Sequence, residues 1–199
     1  MARPRAFDEK QVLNAVRDQF WDAGYAATSL ADLMRVSGLG KGSLYAAFGD
    51  KRQLFLRVLT SYTDELLGHL REALAEAPRA LDALRTLLDA PIDDSTGAGP
   101  RRGCLMANST CELGNADPDV LDHAHRTYEA STALIADCAA RAQREGDLPA
   151  EADPIALARA LLAAQQGLVF MSRTGLDTAT LTATARSLAA QLLPDHTGG

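Results

Sequence analysis

Val12, Leu13, Val16, Phe20 and Trp21 recur every three or four residues, and no polar residue breaks the stripe they form. That spacing predicts an amphipathic helix with its apolar face in a core. It starts near Phe7, where Asp8 and Glu9 suit the positive end of the helix dipole, and stops at Gly24. Thr28 or Ser29 then caps a short second helix, Leu30 to Val36, ended by Ser37-Gly38. A third runs from about Leu39 to Phe48. Leu30, Leu33, Leu44 and Phe48 close a small core against the first helix, predicting a three-helix unit that contains a helix-turn-helix.

The pattern continues in longer segments. Asp50 caps a fourth helix that ends before Pro78 and carries Leu54, Phe55, Val58, Tyr62, Leu66 and Leu70 on one side. A fifth, about Arg79 to Leu88, runs into PIDDSTGAGPRRG, whose turn-forming residues predict an exposed, mobile connection. Gly103 to Leu113 is the sixth. Pro118 opens a seventh reaching Arg144, with Leu121, Ala124, Tyr128, Ser131, Ile135, Cys138 and Ala142 on its packed face. Asp153-Pro154 starts an eighth to about Arg173, and a ninth begins near Thr178 with Leu181, Ala185, Leu188 and Leu192 on one side. Alanine is dense in these last two, so their axes can approach closely, which makes the pair the candidate homodimer interface; the alternative is that the same stripe only covers the monomer's core.

Aromatic residues make up only 5%, and β-branched residues never gather into alternating runs, so the fold class is all-α with about nine helices. The chain of 199 residues divides into a three-helix unit, 1–50, and a larger helical unit, 51–199. The net charge of −6 argues against a nucleic-acid partner until its distribution is considered. Residues 1–60 hold nine Lys or Arg against six Asp or Glu, a net of +3, and the remainder carries −9. Three cysteines, with no Cys-x-x-Cys spacing and no leader, do not suggest a disulfide framework. No apolar run approaches eighteen residues, so the expectation is a soluble, cytoplasmic protein without a membrane span.

The segment GLGKGSLYAAFGDK raises a specific question. A glycine inside a helix costs about 1 kcal/mol relative to alanine, so Gly40 and Gly42 need a compensating use. A helix entering a DNA major groove supplies one, because bulky side chains in its first turn would hold it away from phosphates and base edges. Lys41 and Tyr45 lie one turn apart on one face, Ser43 stands beside them, and Lys51 with the free amides at the start of the fourth helix offers a further anion site. Arg3 and Arg5 form a short basic arm suited to the minor groove.

The run SLADLMRVSGLGKGSLYAAFGDKRQLF resembles the amino-terminal signature of the TetR family of transcriptional repressors, in register over about residues 8 to 55. Ser29, Asp32-Leu33, Gly38, Lys41-Gly42-Ser43-Leu44-Tyr45, Phe48, Lys51 and Leu54 carry it. The resemblance implies a homodimer on a palindromic double-stranded DNA operator, released when a small molecule enters the larger domain. It further implies DNA contacts from Ser29, Lys41, Ser43, Tyr45 and Lys51, mainly to phosphates. Met34 departs from the pattern, where a small residue is expected. So do Ala46 and Ala47, where larger polar residues are frequent; alanines cannot make bidentate base contacts, which throws specificity onto Lys41, Ser43 and DNA shape.

Sensor chemistry is less defined. Cys104 follows Arg101 and Arg102 at a predicted helix start, two features that activate a thiol, and the stretch resembles family repressors with a Gly-Cys at the corresponding helix start, some of which are redox-responsive. The competing reading makes Cys104 and Cys111 small apolar fillers. Cys111 stands seven residues on, about 10 Å along a helix, beyond disulfide reach. For a reversible ligand, the residues interrupting apolar helices are the candidates: Asn108, Tyr128, Gln165, Gln166 and Phe170, with Met106 and Met171 as walls.

Other classes fit less well. The four histidines, His69, His123, His125 and His196, show no spacing for a nucleophile–base pair or a metal, His123 and His125 are better explained as facing solvent, and no phosphate loop or dinucleotide fingerprint appears. No enzyme activity, cofactor or metal is expected. A helical protein-interaction module that never meets DNA is the alternative, and it leaves the basic arm and the glycine turn unexplained.

Overall fold

A computed structural model describes residues 7–96 and 102–194. Among them are nine helices and no strand: α1 Glu9–Ala23, α2 Leu30–Ser37, α3 Lys41–Phe48, α4 Lys51–Glu76, α5 Ala80–Thr96, α6 Leu105–Leu113, α7 Pro118–Arg144, α8 Pro154–Arg173 and α9 Thr178–Leu192. The all-α class is as expected. Local chemistry explains most starts. Asp8 Oδ1 accepts the Lys10 amide at 2.9 Å, Asp153 Oδ1 accepts that of Ile155 at 2.9 Å, and Asp177 Oδ1 accepts that of Thr180 at 2.8 Å, each satisfying a donor that a first turn leaves open.

Three expectations are corrected. Helix α5 does not stop at Leu88 but continues through Pro91 to Thr96, since a proline forfeits one hydrogen bond without ending the helical path. Leu121 is 36% exposed and Val120 is buried in its place, because the packed face of α7 begins one residue earlier than the apolar spacing suggested. His123, read as facing solvent, is half-buried, its Nε2 3.1 Å from the hydroxyl of Thr63.

The chain forms two compact units, Met1–Glu65 with Leu105–His125, and Leu66–Cys104 with Arg126–Gly199. In the first, Val12, Val16, Phe20, Leu33, Leu44, Phe48, Leu54, Phe55, Val58 and Leu59 are buried. Phe20 meets Phe55 edge-on at 5.0 Å, and Trp21 meets Tyr62 the same way at 5.2 Å. Both are favoured aromatic geometries, and Trp21 is structural as its place in the stripe suggested.

In the second unit, α5 packs on α8 and α9, and α8 on α9. Leu84, Leu88, Ile135, Leu161, Leu168, Leu181 and Ala185 lie in its core. The start of α5 is tied to the end of α7: Glu145 Oε2 accepts the Ala80 amide at 2.8 Å, and Arg79 Nε donates to Asp147 Oδ2 at 3.0 Å. Cys138 is a core residue as read, its thiol donating to the Ala80 carbonyl at 3.6 Å and pushed up in pKa by burial.

By length and composition alone, α8 is apolar enough to cross a bilayer, and 22% of that stretch is buried. Arg159, Gln165 and Gln166 interrupt it. Its apolar surface includes Ile155, 50% exposed, and Phe170, 68% exposed.

Candidate nucleic-acid interface

The α2–α3 turn is built on Gly38, whose φ of +67° is a left-handed conformation that side chains disfavour. Gly40 and Gly42 differ. Gly40 caps α3 with an ordinary φ of −70°, and a Cβ added at either position would meet nothing within 4 Å. Neither packing nor backbone geometry inside the chain asks for glycine there.

Helix α3 buries Leu44 and Phe48 and exposes Lys41, Gly42, Ser43 and Ala46. Lys41 Nζ lies 5.9 Å from the centre of the Tyr45 ring, so the ammonium and the half-buried phenol occupy one face. The other end of α3 is clamped by Arg57, a residue the sequence pattern did not single out. Its guanidinium lies 5.1 Å from the Phe48 ring centre, donates to the Ala47 carbonyl at 3.3 Å and pairs with Glu9.

Ser29 forms a capping box with Asp32. Its hydroxyl donates to Asp32 Oδ2 at 2.6 Å, and its oxygen accepts the Asp32 amide at 3.2 Å. This hydroxyl bond, before the Ser29 amide and Arg35, holds the Asp32 carboxyl below its ordinary pKa. The exposed Ser29 hydroxyl proton is therefore already engaged within α2.

Lys51 opens α4. Its Nζ sits 4.4 Å from the centre of the Tyr25 ring, a cation–π distance. Burial, then the neighbouring carboxylates of Asp50 and Asp117, raise the Tyr25 phenol above its ordinary pKa, keeping it neutral. The start of α4 is less open to anions than expected. Asp50 Oδ1 accepts the Gln53 amide at 2.8 Å while Gln53 Oε1 accepts that of Asp50 at 3.1 Å, so a carboxylate already occupies part of the first turn. Arg3 and Arg5 lie outside the described residues.

Two long-range anchors have no signature in local spacing. Arg52, the residue after Lys51, donates to Asp117 Oδ2 at 2.7 Å and to Asp119 Oδ2 at 2.5 Å. Glu112, near the end of α6, accepts the Tyr25 amide at 2.9 Å and the Ala26 amide at 2.7 Å. Only the folded chain brings these partners together.

The sensor candidates divide between the units. Met106, Asn108 and Cys111 belong to the first, and Cys104, Tyr128, Gln165, Gln166 and Phe170 to the second. Met106 is fully buried and Cys104 is 8% exposed, whereas Cys111 is exposed. Asn108, Tyr128, Gln165 and Gln166 are half-buried, with Gln166 donating to Gln165 at 3.3 Å. Phe170, expected beside a ligand, stands on the outside of the chain. Among the described residues no cluster of His, Cys, Asp or Glu could hold a metal ion.

A basic, glycine-opened α3 set on a left-handed turn after α2 defines a helix-turn-helix DNA-binding protein. Comparison with known proteins agrees. Residues 12–58 match the family model described as bacterial regulatory proteins, tetR family, and residues 80–188 match the tetracyclin repressor-like C-terminal domain. The chain is 29% identical over 174 residues to the HTH-type transcriptional repressor ComR of Escherichia coli, covering 87% of this chain and 83% of that one. It is 30% identical over 179 residues to the HTH-type regulator YezE of Bacillus subtilis, covering 89% and 92%. A cysteine mutant of the TetR family regulator CifR, solved with a 26-bp operator DNA, superposes with a TM-score of 0.84 at 30% identity over 94% of this chain and 98% of its own. The chain belongs to the TetR family and is a DNA-binding transcriptional regulator.

Proposed function

We propose that the protein is a repressor, active as a homodimer on a palindromic operator and released by a small molecule acting on residues 51–199, with residues 1–50 as the DNA-binding segment. The observation that carries this is the open space around Gly40 and Gly42: nothing inside the chain requires those glycines, whereas a phosphate backbone pressed against α3 does. Lys41, Ser43, Tyr45 and Lys51 contact phosphates, and Ser29 joins them by exchanging its bond to Asp32. Arg3 and Arg5 reach the minor groove. The protein works in the cytoplasm, with its DNA. The match to a CifR structure that holds operator DNA supports the DNA partner.

The dimer forms through α8 and α9. Ile155 and Phe170 leave α8 apolar on the outside, and a second copy covers that face at the lowest cost, because a closed two-fold contact presents the same patch twice. Tyr128, Gln165 and Gln166 are the polar groups that receive the effector. Reversible binding is preferred over thiol chemistry because Cys104 is buried.

Fluorescence anisotropy on DNA flanking the protein's own gene, at several salt concentrations and against a scrambled duplex, tests the reading. Preferential, steeply salt-dependent binding supports it, since counterion release is peculiar to phosphate contacts. Equal, weak and salt-insensitive binding to both duplexes contradicts it.

A further inference from the structure

Glu112 is exposed, belongs to α6 and carries a negative charge that no DNA contact would use. Its geometry is nonetheless specific. The two carboxylate oxygens accept two successive amides, Tyr25 to Oε2 and Ala26 to Oε1. A Cβ on the preceding Gly24 would stand 3.0 Å from Oε2, and Gly24 has φ of +82°, so the α1–α2 connection is shaped around this carboxylate. Charge-assisted bonds of this kind are stronger than neutral ones, and they fix the backbone that carries the Tyr25 ring.

That ring faces three partners. Its centre is 6.0 Å from that of Phe20, 4.9 Å from that of Phe55 and 4.4 Å from Lys51 Nζ. Phe20 stacks with the ring at an interplanar angle of 22° and Phe55 meets it at 53°, and the lysine ammonium rests against it. Arg52, the next residue, is pinned to Asp117 and Asp119, so the backbone beneath Lys51 is held as well.

We infer that Glu112 is a positioning residue for DNA binding, acting through Tyr25 to hold the Lys51 ammonium in place before DNA arrives. The inference rests on the reading of Lys51 as a phosphate contact. A lysine restrained beforehand loses less side-chain freedom on binding, so the restraint adds affinity without touching DNA. Breaking it releases Lys51 to sample other rotamers and weakens the contact it makes.

A double-mutant cycle on the full-length protein tests this, with operator affinity and its salt slope as readouts. Lys51→Ala removes one phosphate contact per protomer and flattens the slope of log K against log salt by about 0.9 for each. Glu112→Gln replaces one acceptor with a donor, speeds amide exchange at Tyr25 and Ala26, and weakens the operator complex by about three- to tenfold. In the Lys51→Ala background the same substitution changes affinity by less than about twofold. Tyr25→Phe keeps the ring and the affinity, while Tyr25→Leu behaves like Glu112→Gln. If Lys51→Ala leaves affinity and slope unchanged, Lys51 is no phosphate contact and the inference falls with that reading. If Lys51→Ala acts as stated but the Glu112 effect is undiminished beside it, the reading stands and the inference alone is overturned.

Discussion

Arg52 holds Asp117 through two bonds to one carboxylate, Nε to Oδ2 at 2.7 Å and Nη2 to Oδ1 at 2.8 Å, although 65 residues separate them. The Arg52 hydrogen bond, opposed by burial, keeps the Asp117 carboxyl below its ordinary pKa. A carboxyl with a depressed native pKa stabilises the fold fully above its unfolded value of about 3.9 and loses that contribution as pH falls through the native value. Asp117→Asn is therefore less stable than wild type at pH 7, and the gap closes below about pH 4. Urea unfolding at pH steps from neutral into this acid range shows it. A gap of constant size at every pH contradicts the assignment.

Gly42→Ala separates folding from DNA binding. An added methyl meets nothing within 4 Å and removes a flexible residue from α3, so stability rises by up to about 1 kcal/mol. Operator affinity falls in the same variant. Thermal unfolding and anisotropy on one preparation check both halves, and a variant that is stabilised yet binds as well as wild type removes the proposed reason for the glycine.

Phe170→Glu tests the α8 face. The side chain is 68% exposed, so the substitution leaves the helical circular dichroism of the chain unchanged. Sedimentation velocity then reports dissociation toward monomer at micromolar concentration. A dimer of wild-type stability would place the interface elsewhere.

The three thiols differ in access. Cys111 is exposed, while Cys104 and Cys138 are buried, and burial also raises the Cys138 pKa. With an excess of a thiol reagent at neutral pH, the native protein reacts at Cys111 first and at Cys138 last. Modification at Cys104 as rapid as at Cys111 would restore the thiol-sensor reading.

Helix starts were legible because their chemistry is local. Asp8, Ser29, Asp153 and Asp177 each accept an amide two or three residues ahead, and a glycine with positive φ marks the turn after α2. The same locality made the exposed face of α3 readable, since Lys41 and Tyr45 are a single helical turn apart. Periodicity was weaker evidence where a face could shift by one residue, as at Leu121 and Val120, or where turn-forming residues were accommodated within a helix, as at Pro91.

By itself, then, the sequence determined the all-helical class, the helix-turn-helix and the basic character of its exposed helix, all of which depend on interactions within a few residues. Tertiary structure alone decided that Arg52 belongs to Asp117 and Asp119, that Glu112 reaches the Tyr25 and Ala26 amides, and that Lys51 rests on the Tyr25 ring. Ion pairs and ring contacts across tens of residues have no period along the chain. They depend on which residues the packed core brings together, within about 3 Å for a hydrogen-bonded ion pair, and many carboxylates on this acidic chain would have served equally well on paper.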